Sequence, residues 1–223
     1  MFLKKANQEE NLVSSAFKEA IEMLAIGREM FDKITTAMVE SSKVEDWDEI
    51  SATDKKINKM HRNIRKKLFE HLSISGGKDL YSSLILLNVI NDIERIGDYN
   101  KNIADLLSMV PHKLEVGDYG KVLDDIYKET YKFYELTETA FENEDENSAK
   151  LVLTSYRKLA KKSDRLLEQI FEDHKAQQNV HKDLIPLVLL LRYFKRLNAH
   201  LKNIASTVIN PFHRIGYRFK DKK

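Results

Sequence analysis

Apolar side chains along this chain recur with a period near 3.6 residues, the spacing that gathers them on one stripe of an α-helix. In the first stretch Ala16, Ala20, Leu24, Gly27, Phe31, Ile34 and Met38 advance by threes and fours. In the second, Trp47, Ile50, Asp54, Ile57, His61, Ile64, Leu68 and His71 do the same, with polar residues inside the apolar seam. Glycine and proline interrupt the pattern in clusters, at Gly76-Gly77, from Pro111 to Gly120, and from Pro211 to Gly216. Only 7 Gly and 3 Pro occur in 223 residues, too few for a turn-rich β fold. The pattern therefore predicts six helices, over 9–42, 45–74, 79–110, 119–143, 146–177 and 182–210. Long helices joined by short loops must run antiparallel as bundles.

The two halves repeat each other. Thr36-Ala37-Met38 aligns with Thr139-Ala140-Phe141 at a shift of 103, and Leu68-Phe69-Glu70 aligns with Ile170-Phe171-Glu172 at a shift of 102. Lys101-Asn102-Ile103-Ala104 aligns with Lys202-Asn203-Ile204-Ala205 at a shift of 101. Nearly equal shifts in successive helices indicate a duplicated three-helix unit. The expected fold is thus all-α: six long antiparallel helices as two tandem three-helix bundles related by internal duplication. Their bounds are 1–112 for the first repeat and 113–223 for a second, degenerate repeat with a basic C-terminal tail. Each unit is expected to bury its own seam.

Composition removes several classes of function. With no cysteine, disulfides, thiolate metal sites and cysteine nucleophiles are excluded. A net charge of +2, from 37 basic and 35 acidic residues, argues against nucleic-acid binding. The apolar run Leu184–Leu191, with Pro186 inside it, is far too short to span a bilayer. Met1-Phe2-Leu3-Lys4-Lys5 leads into polar residues rather than a signal-peptide core, so a cytoplasmic protein is expected. No Gly-rich phosphate loop, Glu-x-x-His pair or G-x-S-x-G context occurs, and the chain is not expected to be an enzyme.

One polar row stands where leucine would be expected. At 100° per residue, Leu84, Leu87, Asn91, Glu94, Asp98, Asn102 and Asp105 fall on one arc of the third helix. Glu94 and Asp98 are one turn apart, and unpaired like charges at that spacing repel. Water, a basic neighbour such as Arg95 or Lys101, or a cation must offset that repulsion. The second helix offers Asp54 and His61 on one face, with Asn58 between them. Carboxylates, an amide and an imidazole suit iron, zinc, manganese or magnesium, so Glu94, Asp98, Asn102, Asp54 and His61 are the candidate metal ligands. In the second half these acids vanish: Glu94 becomes Lys195, Asp98 becomes Ala199, Asp105 becomes Ser206, Asp54 becomes Tyr156 and His61 becomes Ser163. A row that only served folding would persist in both copies, which points to function in the first copy alone. Alternatives are a metal-dependent enzyme using the carboxylate row and a purely structural scaffold.

The run Asp92-Ile93-Glu94-Arg95-Ile96-Gly97-Asp98-Tyr99-Asn100-Lys101-Asn102-Ile103-Ala104-Asp105 closely resembles the motif of PhoU phosphate-response regulators. Arg192 to His200 is similar to a degraded second copy, and Asp54 to His61 to the family's acidic second helix. The resemblance implies a cytoplasmic, non-enzymatic adaptor that restrains phosphate uptake and phosphate-starvation signalling. Its implied partners are a phosphate ABC transporter or a sodium/phosphate cotransporter, with a sensor histidine kinase, and a homodimer is left open. Some such proteins bind iron or zinc clusters on the motif helices; the departures here imply one site at most, in the first repeat. The tail from Phe212 to Lys223 is basic and aromatic, which allows at most peripheral membrane contact.

Overall fold

The computed structural model describes residues 12–40, 47–110, 112–178 and 181–219. The expected helix ends at 9–11, 41–42 and 45–46 and the last four residues of the tail lie outside them. Among the described residues there are six α-helices and no strand. The first three are α1 (Leu12–Glu40), α2 (Trp47–Ile74) and α3 (Leu80–Ser108). The second three are α4 (Tyr119–Asn143), α5 (Glu146–Lys175) and α6 (Leu184–Ile209), followed by a 3₁₀ turn at Phe212–Arg214.

Local chemistry explains where these helices begin and end. Between α4 and α5 the chain reverses through Glu144, which sits in the left-handed region at φ 52°. Asp145 then caps α5, its carboxylate accepting from the backbone N–H of Ser148 at 2.9 Å. These hydrogen bonds to Ser148, and one to Asn147 N–H, hold its carboxyl below the ordinary carboxylate range. Pro186 lies in the first turn of α6, where a missing N–H breaks no helical hydrogen bond. Asp183, just ahead of it, turns its carboxylate instead to the inter-repeat linker: Glu115 N–H donates to it at 2.8 Å, and His112 Nε2 lies 2.9 Å away. The linker is therefore fastened to the second repeat.

α3 lies against α6, α2 flanks α3 and α5 flanks α6, which makes a four-helix layer in the order α2–α3–α6–α5. α1 packs across α2 and α3, α4 packs across α5 and α6, and α1 touches α4 more lightly. α3 and α6 run antiparallel, since Tyr81 meets Phe212, Asp92 meets His200, and Tyr99 meets Tyr193. Each is the third helix of its repeat, so an approximate two-fold axis relates the repeats. They sit side by side along their motif helices.

The expectation that each repeat buries its own seam needs correction. The buried apolar residues of both halves form one continuous core. Phe31 of α1 shows why: its ring centroid lies 5.1 Å from that of Tyr134 in α4 and 5.9 Å from that of Phe194 in α6. Buried amides tie the helices across this core. Asn100 Nδ2 donates to the Gly27 carbonyl at 2.7 Å and pairs with the Tyr134 hydroxyl at 3.2 Å. In the second repeat Asn198 Nδ2 donates to Thr130 Oγ1 at 2.7 Å. Gly97 serves close approach, because a Cβ there would stand 3.2 Å from Ile57 Cδ1.

Candidate functional site

α1 and α4 cover one side of the four-helix layer, and the polar row of α3 lies on the other. Asp54, near the α2–α3 seam, is buried at 9% relative exposure and accepts from Asn58 Nδ2 at 3.2 Å. Burial pushes its carboxyl above the ordinary carboxylate range, Lys101 pulls it back down, and the charges of Asp98 and Asp105 add to the rise. Asp54, Asp98, Lys101 and Asp105 thus share one electrostatic neighbourhood, although none bonds directly to another.

The predicted ligands divide into separate groups. Arg95 answers the repulsion between Glu94 and Asp98: its Nη1 donates to Asp98 Oδ2 at 3.0 Å, and its Nε lies 3.6 Å from Glu94 Oε2. The basic neighbour considered from sequence is therefore in place. His61 points elsewhere, with Nε2 2.8 Å from Asn91 Oδ1. Asn102 and Asp105 are exposed farther along α3. Among the described residues no three His, Asp or Glu side chains gather so as to hold a metal ion. A guanidinium on Asp98 and an ammonium beside Asp54 are also poor company for a cation. As arranged, these side chains do not fit a resident metal.

The second repeat presents a different surface at the same positions. Lys195 pairs with Asp164, and Arg192 and Arg196 are exposed. Lys202, matching Lys101, lies 5.2 Å from the centre of the Tyr156 ring. It donates to the carbonyl of Gly216 at 2.6 Å, while the Gly216 N–H donates to Ser206 Oγ at 2.7 Å. Burial holds the Lys202 ammonium below the ordinary lysine range, opposed by Asp92. Asn210 secures the same segment, donating to the carbonyls of Arg214 at 3.1 Å and Tyr217 at 2.8 Å. The tail, read from sequence as basic and aromatic, lies folded onto α6 over residues 211–219.

Between the faces runs a polar seam that sequence reasoning passed over. Asp92 accepts from Asn203 Nδ2 at 2.9 Å and lies 2.7 Å from His200 Nδ1, and the His200 ring stacks on Tyr99 at 5.7 Å. Helical register was the available signal: Asp92 and Tyr99 lie one full heptad apart, on the flank of α3 away from Asp98.

The duplicated unit, its three-helix content and the motif of α3 agree with one family model. The PhoU domain matches residues 11–107 and again 123–208. The chain belongs to the PhoU family. A curated PhoU relative from Thermotoga maritima, the "Phosphate-specific transport system accessory protein PhoU homolog 1", is 24% identical over 201 residues, covering 89% of this chain and 80% of the relative. The crystal structure of PhoU from Pseudomonas aeruginosa superposes with a TM-score of 0.76 at 20% identity, covering 89% of this chain and 95% of that one. The phosphate transport system regulatory protein PhoU from Streptococcus pneumoniae gives 0.73 at 17% identity, covering 88% and 93%. At these identities the two structures establish the PhoU fold. No helix among the described residues is long and apolar enough to cross a membrane.

Proposed function

We propose that this chain is a regulatory accessory protein of phosphate transport, acting without catalysis as a cytoplasmic adaptor. It docks on a phosphate transporter, of the ABC or sodium-coupled class, and on the sensor kinase that reports phosphate supply. The observation that carries this is the PhoU domain present twice, its two motif helices paired side by side in one four-helix layer. The Thermotoga relative, named as an accessory protein of a phosphate-specific transport system, supports the transport assignment.

The surface chemistry suits docking. The carboxylates of the first motif are held by Arg95 and Asn58 rather than converging on one point where a bond could be made or broken. A rigid layer with fixed charges recognises a partner by shape and complementary potential. Deletion of the gene is expected to alter phosphate uptake and the onset of the starvation response, and affinity capture is expected to recover phosphate-transport components. Unchanged uptake together with capture of none of them would refute the proposal.

A further inference from the structure

The carboxylates of the first repeat would not by themselves indicate a ligand. The duplication supplies the second observation, because the same positions in the second repeat hold one. There Lys202 binds a carbonyl, Ser206 accepts an N–H, and Asn203 lies beneath a residue that has no side chain. The occupant is the chain's own Gly216, at φ 81°, where a Cβ would come within 2.9 Å of Asn203 Oδ1. Basic Arg214 and Arg218 flank that glycine. The first repeat keeps the donor and the amide, as Lys101 and Asn102. It replaces Ser206, which accepts the Gly216 N–H, by Asp105, and Ala199 and Tyr156 by Asp98 and Asp54, so three acids stand on a face whose counterpart holds a basic segment. The linker that would be its own tail is instead tied to Asp183 of the second repeat. No segment of the described chain fills the first site.

We infer that the motif face of the first repeat is a clamp for a non-helical, basic, glycine-containing segment of a partner protein, held as the second repeat holds the chain's own tail. Lys101 takes a backbone carbonyl, Asp105 takes a backbone N–H, and a flanking cationic side chain of the segment displaces the exposed Arg95 from Asp98. This deepens the adaptor function and rests on it for the identity of the partner; it also assigns to these acids a ligand other than a metal ion.

The probe is the synthetic peptide of residues 211–223, titrated by calorimetry into the full chain, whose second site is already filled by its own tail. One peptide is expected to bind per chain. Affinity should fall at least tenfold in D98N/D105N, and at least tenfold when the peptide carries valine in place of Gly216. Should D98N/D105N fail to melt cooperatively, Lys101→Met removes the carbonyl donor and is expected to show the same loss. Ser206→Ala, in the second repeat, should leave peptide affinity unchanged, and so should a chelator. Absence of binding, indifference to D98N/D105N and K101M, dependence on Ser206, or loss on chelation would each overturn the clamp. If the peptide fails while the chain still captures phosphate-transport components, the clamp falls alone and the adaptor function stands.

Discussion

The two motif faces began as copies and now differ in what neutralises them. In the first, Asp54, Asp98 and Asp105 stand beside Lys101, and an exposed Arg95 holds Asp98. In the second, Tyr156, Ala199 and Ser206 occupy those positions, and the chain closes the face with its own residues 211–219. The lysine and the asparagine survive in both. A helix pair of this geometry leaves a row of polar positions on its open side, and each copy has met that with different side chains. The difference shows that duplication preserved the frame, through its buried apolar positions, and released the exposed row to change.

The core, by contrast, does not respect the division into repeats, and the largest predicted effect follows from that. Phe31→Ala should cost about 3–5 kcal/mol, since it opens a cavity touching Tyr134 and Phe194 of the other repeat. Denaturant unfolding should still show one transition; two separated transitions would mean that the repeats fold apart. Next is Asn100→Ala, which removes the bond from α3 to the Gly27 carbonyl, leaves the buried Tyr134 hydroxyl without its amide partner and should cost about 1–3 kcal/mol. The matching Asn198→Ala should cost less, because Thr130 keeps its hydrogen bond to the Ile126 carbonyl at 2.8 Å. Equal losses would show that the two amides bear equally on their repeats.

Gly216→Ala forces a side chain into the left-handed region and against Asn203, and should cost about 1 kcal/mol or somewhat more. Its signature is local: amide exchange should quicken over residues 212–219 and at Ser206, with the first repeat unaffected. The smallest effect belongs to Asp54. Its carboxyl is raised in the folded chain, so the ionised form opposes folding at neutral pH. That cost fades as pH falls through the raised value towards the ordinary 3.8. Asp54→Asn should therefore raise the melting temperature at pH 7 by about 1–2 °C and lose that advantage in acid. A variant that is less stable at pH 7 would show that Lys101 outweighs burial.

Much of the frame could be read directly from residue order. α2 ends at Ile74 and α4 runs from Tyr119 to Asn143, as periodicity and the flanking glycines require, and α5 begins at Glu146 behind its Asp145 cap. The duplication was equally legible, since it leaves its mark in the nearly equal shifts between the two halves. The candidate site was less so. Spacing placed Glu94 and Asp98 on one face, where they are, and left water, a basic neighbour or a cation to offset their repulsion; the structure supplies Arg95. Nothing in spacing could show that His61 turns to Asn91, so that the five proposed ligands do not assemble into one group.

Residue order alone thus determined the helices, their number among the described residues, the internal repeat and the chemical character of each face. All of these follow from interactions within a few turns of one chain segment, where a period of 3.6 and a capping residue suffice. The tertiary structure decided that α3 and α6 pair antiparallel, that Phe31 joins both halves, and that Gly216 lies between Lys202 and Ser206. Those contacts join residues brought together only when helices pack. Their partners are selected by shape and burial in three dimensions, and shape and burial leave no periodic trace along the chain.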